Sequence, residues 1–415
     1  MLGLSNHSRV LTAVLSLSLL AISLPRSLYA QDDDEYPKVS FDGQFRLRGE
    51  GDGRTTGFNP DFATLSRIRV GVHADLLQWI RVYAQVQDAR AWGDETNTFQ
   101  DGSADLFDLH QGFASLGTSS KFTARLGRQE TVLGDERLVG ALGWSNLGRS
   151  FDGVRLMGEA KGIGWTAFAY NVAERDSILA VGLHPQLNQG VYDDGWLMGG
   201  FATKRFGDVN SELTALYDVD AITQKSYTVN LRLHGRTGIV LYEGAAAYQG
   251  GPNRSAYFGS GRVGVAIGKG TIAAQVDYLS GDDDPAAGDI KAFTTLYATN
   301  HKFYGIMDYF LAIPAQLDGA GLVDAVLRGS LDTGANTRLR LDLHRFNTAQ
   351  KRGGETALGT ELDLVGNWKF AKPGALQAGF GVFFPEDLIT QLMPAFQGGK
   401  ETTWWGYVQM ILNWP

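Results

Sequence analysis

The sequence contains no cysteine, so no disulfide framework can hold an exported form together. It also lacks a second long apolar run. After the stretch Val10 to Leu24, nothing approaches the ~20 consecutive apolar residues that a membrane-spanning helix requires. Insertion into a bilayer would therefore have to use strands. A positive surplus is missing as well. The 37 Lys and Arg residues face 45 Asp and Glu, a formal net charge of −8, and this argues against a nucleic-acid partner, whose footprint is a basic face. No Pro/Ser-rich linker or shift in composition divides the chain. One large domain is preferred to the two or three that length alone would allow.

The first thirty residues differ from the rest. Arg9 ends a short polar start, Val10 to Leu24 is apolar, and Ser27-Leu28-Tyr29-Ala30 offers a small residue for cleavage before Gln31-Asp32-Asp33-Asp34. That order predicts a secretory signal peptide over residues 1–30. Residues 31–38 then form a short periplasmic N-terminal segment. Removal of Arg9 and Arg26 takes the charge from −8 to −10.

The dominant signal is alternation. In Ser226-Tyr227-Thr228-Val229-Asn230-Leu231-Arg232-Leu233-His234 every odd position is apolar and every even one polar, which puts two chemistries on opposite faces of a strand. The same period runs through residues 39–50, 68–75, 80–87, 122–125 and 337–344. Such segments number about 18, each near the ~10 residues that a tilted membrane strand needs. Short turns are predicted at 76–79, 117–121, 158–163, 206–210, 235–238, 268–270, 332–336 and 369–374. Longer segments such as 88–107, 128–149, 172–194, 280–321 and 384–402 lie between them. Short connections on one rim and long ones on the other predict an all-β, transmembrane antiparallel barrel over residues 39–414, with both ends on the periplasmic side. Aromatics near strand ends, among them Trp165 and Tyr170, Trp196 and Phe201, Tyr242 and Tyr248, Phe383 and Phe384, and Trp404, Trp405 and Tyr407, are read as interface belts. A soluble β-sandwich or propeller also alternates, but it would not set long arginines on the polar face of strand after strand.

If that polar face looks into the lumen, Arg46, Arg48, Arg67, Arg69, Arg81, Arg125, Arg155, Arg232, Arg262, Arg338 and Arg340 point there. Each carries a fixed charge and a planar fork of donors suited to carboxylate or phosphate. Rings of arginine select for anions, and a low-dielectric channel focuses their field. Asp42, Glu361 and Asp363 are the expected counter-charges: Asp42 for Arg48 or Arg69, and Glu361 and Asp363 for Arg338 and Arg340. About half of the arginines are expected to be paired in this way.

Three blocks carry a family resemblance. They are Leu126-Gly127-Arg128-Gln129-Glu130 continuing through Gly134-Asp135-Glu136-Arg137 to Arg149-Ser150-Phe151-Asp152-Gly153-Val154-Arg155-Leu156, then Asn300-His301-Lys302-Phe303-Tyr304-Gly305-Ile306-Met307-Asp308, and Leu358-Gly359-Thr360-Glu361-Leu362-Asp363. Together they resemble the alginate export family of outer-membrane porins, from Phe41 to Trp414. The resemblance implies an 18-stranded monomeric barrel in the outer membrane of a Gram-negative cell, with a loop-gated, arginine-lined pore. It implies export of an anionic, alginate-like uronate polymer. A periplasmic export scaffold is a further partner that the residues themselves do not reveal, and no cofactor is expected. Arg128, Asp135 and Arg137 come with the resembling hairpin, either as substrate contacts or as ion pairs that pin a loop. A porin for small anions or sugar acids is the alternative function.

Other signals are weaker. Gly259-Ser260-Gly261-Arg262-Val263-Gly264 has dinucleotide-loop spacing but continues as strand rather than helix. Asp282-Asp283-Asp284 with Asp289 offers hard oxygens to calcium, yet reads as a solvated acidic loop. His73, His110, His234 and His344 have no nucleophile motif beside them, so a barrel hydrolase is the remote alternative.

Overall fold

The structure is a computed structural model that describes residues 36–54, 61–92, 107–173, 195–219, 225–284, 286, 288–393 and 401–415. The predicted signal peptide lies outside the described residues, as do parts of the predicted long segments. Tyr36 and Pro37 are the described part of a separate N-terminal unit.

Eighteen strands follow in order. They are β1 (Lys38–Gly53), β2 (Asp61–Leu77), β3 (Ile80–Trp92), β4 (Asp108–Ser119), β5 (Phe122–Gln129), β6 (Phe151–Ala160), β7 (Ile163–Ala173), β8 (Gly195–Phe206) and β9 (Val209–Val219). The second half continues as β10 (Lys225–Thr237), β11 (Val240–Gly251), β12 (Arg254–Ile267), β13 (Gly270–Leu279), β14 (Leu322–Asp332), β15 (Thr337–Arg352), β16 (Glu355–Trp368), β17 (Gly374–Pro385) and β18 (Thr403–Trp414). Each pairs antiparallel with its sequence neighbours. β1 closes on β18 through the register Gly43 to Trp414 and Gly53 to Trp404. Closure leaves no strand edge for lipid to meet, the condition for a sheet to live in a bilayer.

All eight predicted short turns join strands on one rim, where the first and last strands also end. The other rim is less uniform than predicted. It carries the long connections but also tight hairpins at 252–253 and 353–354. Alternation places apolar side chains outside: Leu339, Leu341 and Leu343 of β15 are exposed, while Asp342 between the last two and His344 after them are buried. Exposed aromatics form two girdles. Phe41, Phe122, Phe206, Trp368, Phe370 and Trp414 stand near the short-turn rim, and Phe62, Trp92, Phe107, Tyr217, Tyr227, Tyr257, Tyr278 and Phe384 near the other.

This corrects part of the predicted belt. Tyr170, Phe383, Trp405 and Tyr407 are buried inside the barrel, on the inward parity of their strands, and pack against the loops that fill it. A lumen crossed by folded loops needs an apolar core of its own, and proximity to a strand end does not reveal on which face an aromatic lies.

Candidate functional site

The site starts from a clash of like charges. On β1 and β2 the inward parity selects Arg46, Arg48, Arg67 and Arg69, and the register sets Arg46 directly opposite Arg67. Two guanidiniums facing each other across a strand pair destabilise the sheet. The connection 130–150 resolves this by folding inward and presenting its backbone. Arg46 donates to the carbonyls of Gly143 (2.9 Å), Trp144 (3.1 Å) and Ser145 (2.9 Å) and to Asn146 Oδ1 (3.0 Å). Arg48 donates to Trp144 O (2.9 Å) and lies 4.2 Å over its ring. Arg67 donates to Ser145 O (3.0 Å) and Gln44 Oε1 (2.6 Å). Carbonyl dipoles satisfy the donors without cancelling the charge. Among the described residues two carboxylates reach the group: Glu50 at 2.6 Å from Arg48 and Glu130 at 2.9 Å from Arg69.

The same connection crosses the lumen. On the far side, Arg137 Nη1 lies 2.9 Å from Asp277 of β13, and Asp135 lies 3.4 Å from Arg232 of β10. β10 stands half-way round the ring from β1. Arg137 is also 3.2 Å from Asp135, donates to Tyr304 Oη and stacks 4.0 Å over Phe303. The second inward connection, 280–321, is therefore held by the first, and Trp144 stacking on His301 at 4.1 Å joins them again. Within these connections, burial raises the Asp135 carboxyl above its ordinary range. Burial lowers the Arg149 guanidinium. At Glu130 burial pushes upward, but the hydrogen bond from His110 and the charge of Arg69 outweigh it and hold the carboxyl below the usual range.

The wall from β13 to β16 is acidic. Asp277, Asp324, Asp342, Glu361 and Asp363 are all nearly inaccessible. Arg328 clasps Asp342 with two bonds (2.8 and 2.9 Å), Arg340 adds a third contact at 3.1 Å, and His344 Nδ1 meets Asp324 at 2.9 Å. Backbone amides of Ile306 and Met307 donate to Asp363 (3.2 Å) and Glu361 (2.9 Å). Asp342, His344 and Asp363 bring ligand atoms within 4.8 Å of one another. With Asp342 already saturated by Arg328 and Arg340, the trio reads as an ion-pair network rather than a cation cradle.

Several expected partnerships are exchanged. Asp42 receives His73 (2.6 Å) and Tyr83 (3.1 Å), not Arg48 or Arg69. Arg338 pairs with Asp332 at 2.7 Å and Arg340 with Asp342, so Glu361 and Asp363 serve loop amides instead. Arg81 pairs with Asp75 at the short-turn rim. Arg232 and Arg262 share Glu243 (3.1 and 2.7 Å). Arg128 is not in the lumen region at all. It has the outward parity of β5, at the long-loop rim, and pairs with Asp152 (2.9 Å) and Asp108 (3.4 Å). Asp135 and Arg137 take the loop-pinning role. Sequence reasoning passed over Asp277, Asp324 and Arg328, although each alternates with apolar neighbours and could have been found. The Gly143 to Ser145 carbonyls gave no sequence signal, since any residue supplies one.

The alginate export family matches residues 38–395.

The chain belongs to the alginate export family. Solved outer-membrane proteins share its barrel. The Pseudomonas aeruginosa protein opdK is 12% identical with a TM-score of 0.60, covering 91% of this chain and 99% of that one. Pseudomonas aeruginosa OccK8 (OprE) is 10% identical with a TM-score of 0.62, covering 91% and 98%. Pseudomonas aeruginosa OccK2 (OpdF), solved in complex with glucuronate, is 11% identical with a TM-score of 0.61, covering 91% and 98%. No curated protein matches the chain. This alginate export family member is an outer-membrane β-barrel channel of a Gram-negative cell. Its family and its structural neighbours are channels, not enzymes.

Proposed function

We propose that this alginate export barrel is an anion-selective channel through which a uronate polysaccharide leaves the cell. The observation that carries the reading is the segregation of charge where connection 130–150 crosses the lumen. Among the described residues Arg46 and Arg67 have carbonyls but no carboxylate as partners, while the β13 to β16 wall gathers five buried acids with their own arginines and histidine. A uronate chain carries one carboxylate per sugar. It can exchange partners along the positive wall, displacing carbonyls that hold each guanidinium only as neutral acceptors. Conduction requires binding strong enough to enter and weak enough to leave, and neutral acceptors meet that balance better than fixed carboxylates would.

The test is electrical. In planar bilayers the channel should prefer chloride to potassium and be blocked by an oligo-uronate but not by a neutral oligosaccharide of equal length. R46Q/R67Q should lower both the preference and the block. Cation preference in the unaltered protein would overturn the reading. Uptake of small anions is the second reading, favoured by the way one connection spans the whole lumen and by the glucuronate held by the neighbour OccK2. It predicts equal block by a monomeric uronate and by its oligomer.

A further inference from the structure

The outer surface of the short-turn rim carries charge opposite in sign to that of the chain, whose net charge is −8. The arginines Arg81 and Arg338 of this rim are answered on their own hairpins by Asp75 and Asp332. Three lysines on successive hairpins are not. Lys121 lies in the turn between β4 and β5, Lys161 in the turn between β6 and β7, and Lys204 near the end of β8. Among the described residues none of the three has a carboxylate within ion-pair distance. Glu159 and Asp208, the acids nearest to them in the chain at this rim, line cavities on the lumen side instead.

The lysines are set beside aromatic rings on the lipid-facing wall. Lys204 has the outward parity of β8, and its Nζ lies 5.2 Å from the centroid of the Phe206 ring, itself 58% exposed on the same face. Phe122 follows Lys121 directly, points outward and has its ring 6.3 Å from that of Trp165 on β7. Trp165 lies against Gly158 of the intervening strand, where a Cβ would stand 3.0 Å from its ring. With strands about 4.8 Å apart, neighbouring hairpins stand ~10 Å from one another, so the three ammonium groups and three rings form one arc from β5 to β8.

We propose that this arc holds the phosphate of an anionic phospholipid from the periplasmic leaflet of the outer membrane. Aromatic rings settle at the boundary between hydrocarbon and headgroup, and a lysine stem lies along apolar surface while its ammonium reaches outward to the phosphate level. An ammonium offers three donors to an oxyanion without demanding one orientation, which suits a headgroup that rotates. The arc continues the lipid-facing wall, and the short turns put it in the leaflet built of phospholipid. An acidic protein docking from the periplasm would use the lysines but not the rings, which face sideways into the bilayer.

The full-length channel is placed in vesicles of phosphatidylcholine containing brominated phosphatidylglycerol or brominated phosphatidylcholine, and the quenching of Trp165, taken as the difference from W165F, reports which lipid occupies the arc. Phosphatidylglycerol should be preferred, and high salt should weaken the preference. K121Q, K161Q and K204Q should each lower it up to about fivefold, the worth of one basic residue at an anionic surface, and the triple variant should abolish it. K269Q, in the turn between β12 and β13, should leave it unchanged. Equal quenching by the two lipids in the unaltered protein, or an undiminished preference in the triple variant, would overturn the proposal. Displacement of phosphatidylglycerol by millimolar inorganic phosphate would assign the lysines to a free oxyanion instead. Lysine-dependent binding of polyglutamate without any lipid preference would overturn the lipid reading in favour of an acidic protein.

Discussion

Arg137→Met asks whether connection 130–150 is a latch or a fixed part of the wall. The Arg137 side chain is 7% exposed and Asp277 opposite it is wholly buried. Among the described residues, removing the guanidinium leaves Asp277 with Ser260 Oγ at 2.6 Å and Gln275 Nε2 at 3.0 Å. Breaking a buried pair by deleting one member costs about 3–5 kcal/mol. The barrel ladders do not involve Arg137, so that cost falls on the docked position of the loop and shifts its equilibrium toward release about 150- to 4,000-fold. R137M should therefore give larger or noisier single-channel currents and faster proteolysis between residues 130 and 150, with the barrel's heat resistance unchanged. Removing both charges is far closer to neutral than removing one, so R137M/D277N should recover much of the closed behaviour. Currents and proteolysis like those of the unaltered protein in R137M, or no recovery in the double variant, would refute the latch.

Gly305 adopts φ +80°, and a Cβ added there would run into the Glu361 carboxylate, so Gly305→Ala meets both backbone strain and a side chain. It should loosen connection 280–321, seen as faster proteolysis there without loss of the barrel. The Glu130 tether has a pH sign. Its carboxyl is depressed in the folded channel, so its contribution is complete above the ordinary value of ~4.3 and fades as pH falls through the lower folded value. Current noise should accordingly be constant from pH 7 to about pH 5 and rise only in stronger acid, and a change centred near neutrality would contradict this. Arg128→Ala removes an outward, exposed ion pair. It should leave ion selectivity untouched and cost under about 1 kcal/mol in unfolding; altered selectivity would place that side chain in the pore after all.

Period-two patterning determined the barrel. Because side-chain direction alternates strictly along a strand, runs such as Ser226 to His234 disclosed which arginines face inward, and turn chemistry disclosed the short rim. The family blocks added the resemblance that the match over residues 38–395 bears out. Partners were another matter. Asp42 lies on the strand beside Arg69 yet takes His73 and Tyr83, because which acid meets which base depends on register and on the height of each pair along the barrel. Arg128 carries a family motif but faces outward, one residue of parity from Gln129 inside. The carbonyls that hold Arg46 and Arg67 come from residues 78 to 99 positions away and belong to no residue type. Sequence by itself determined the faces of the strands, a local property of two-residue period. Only the tertiary structure decided which charges are answered, because that depends on two long connections folding back across the lumen.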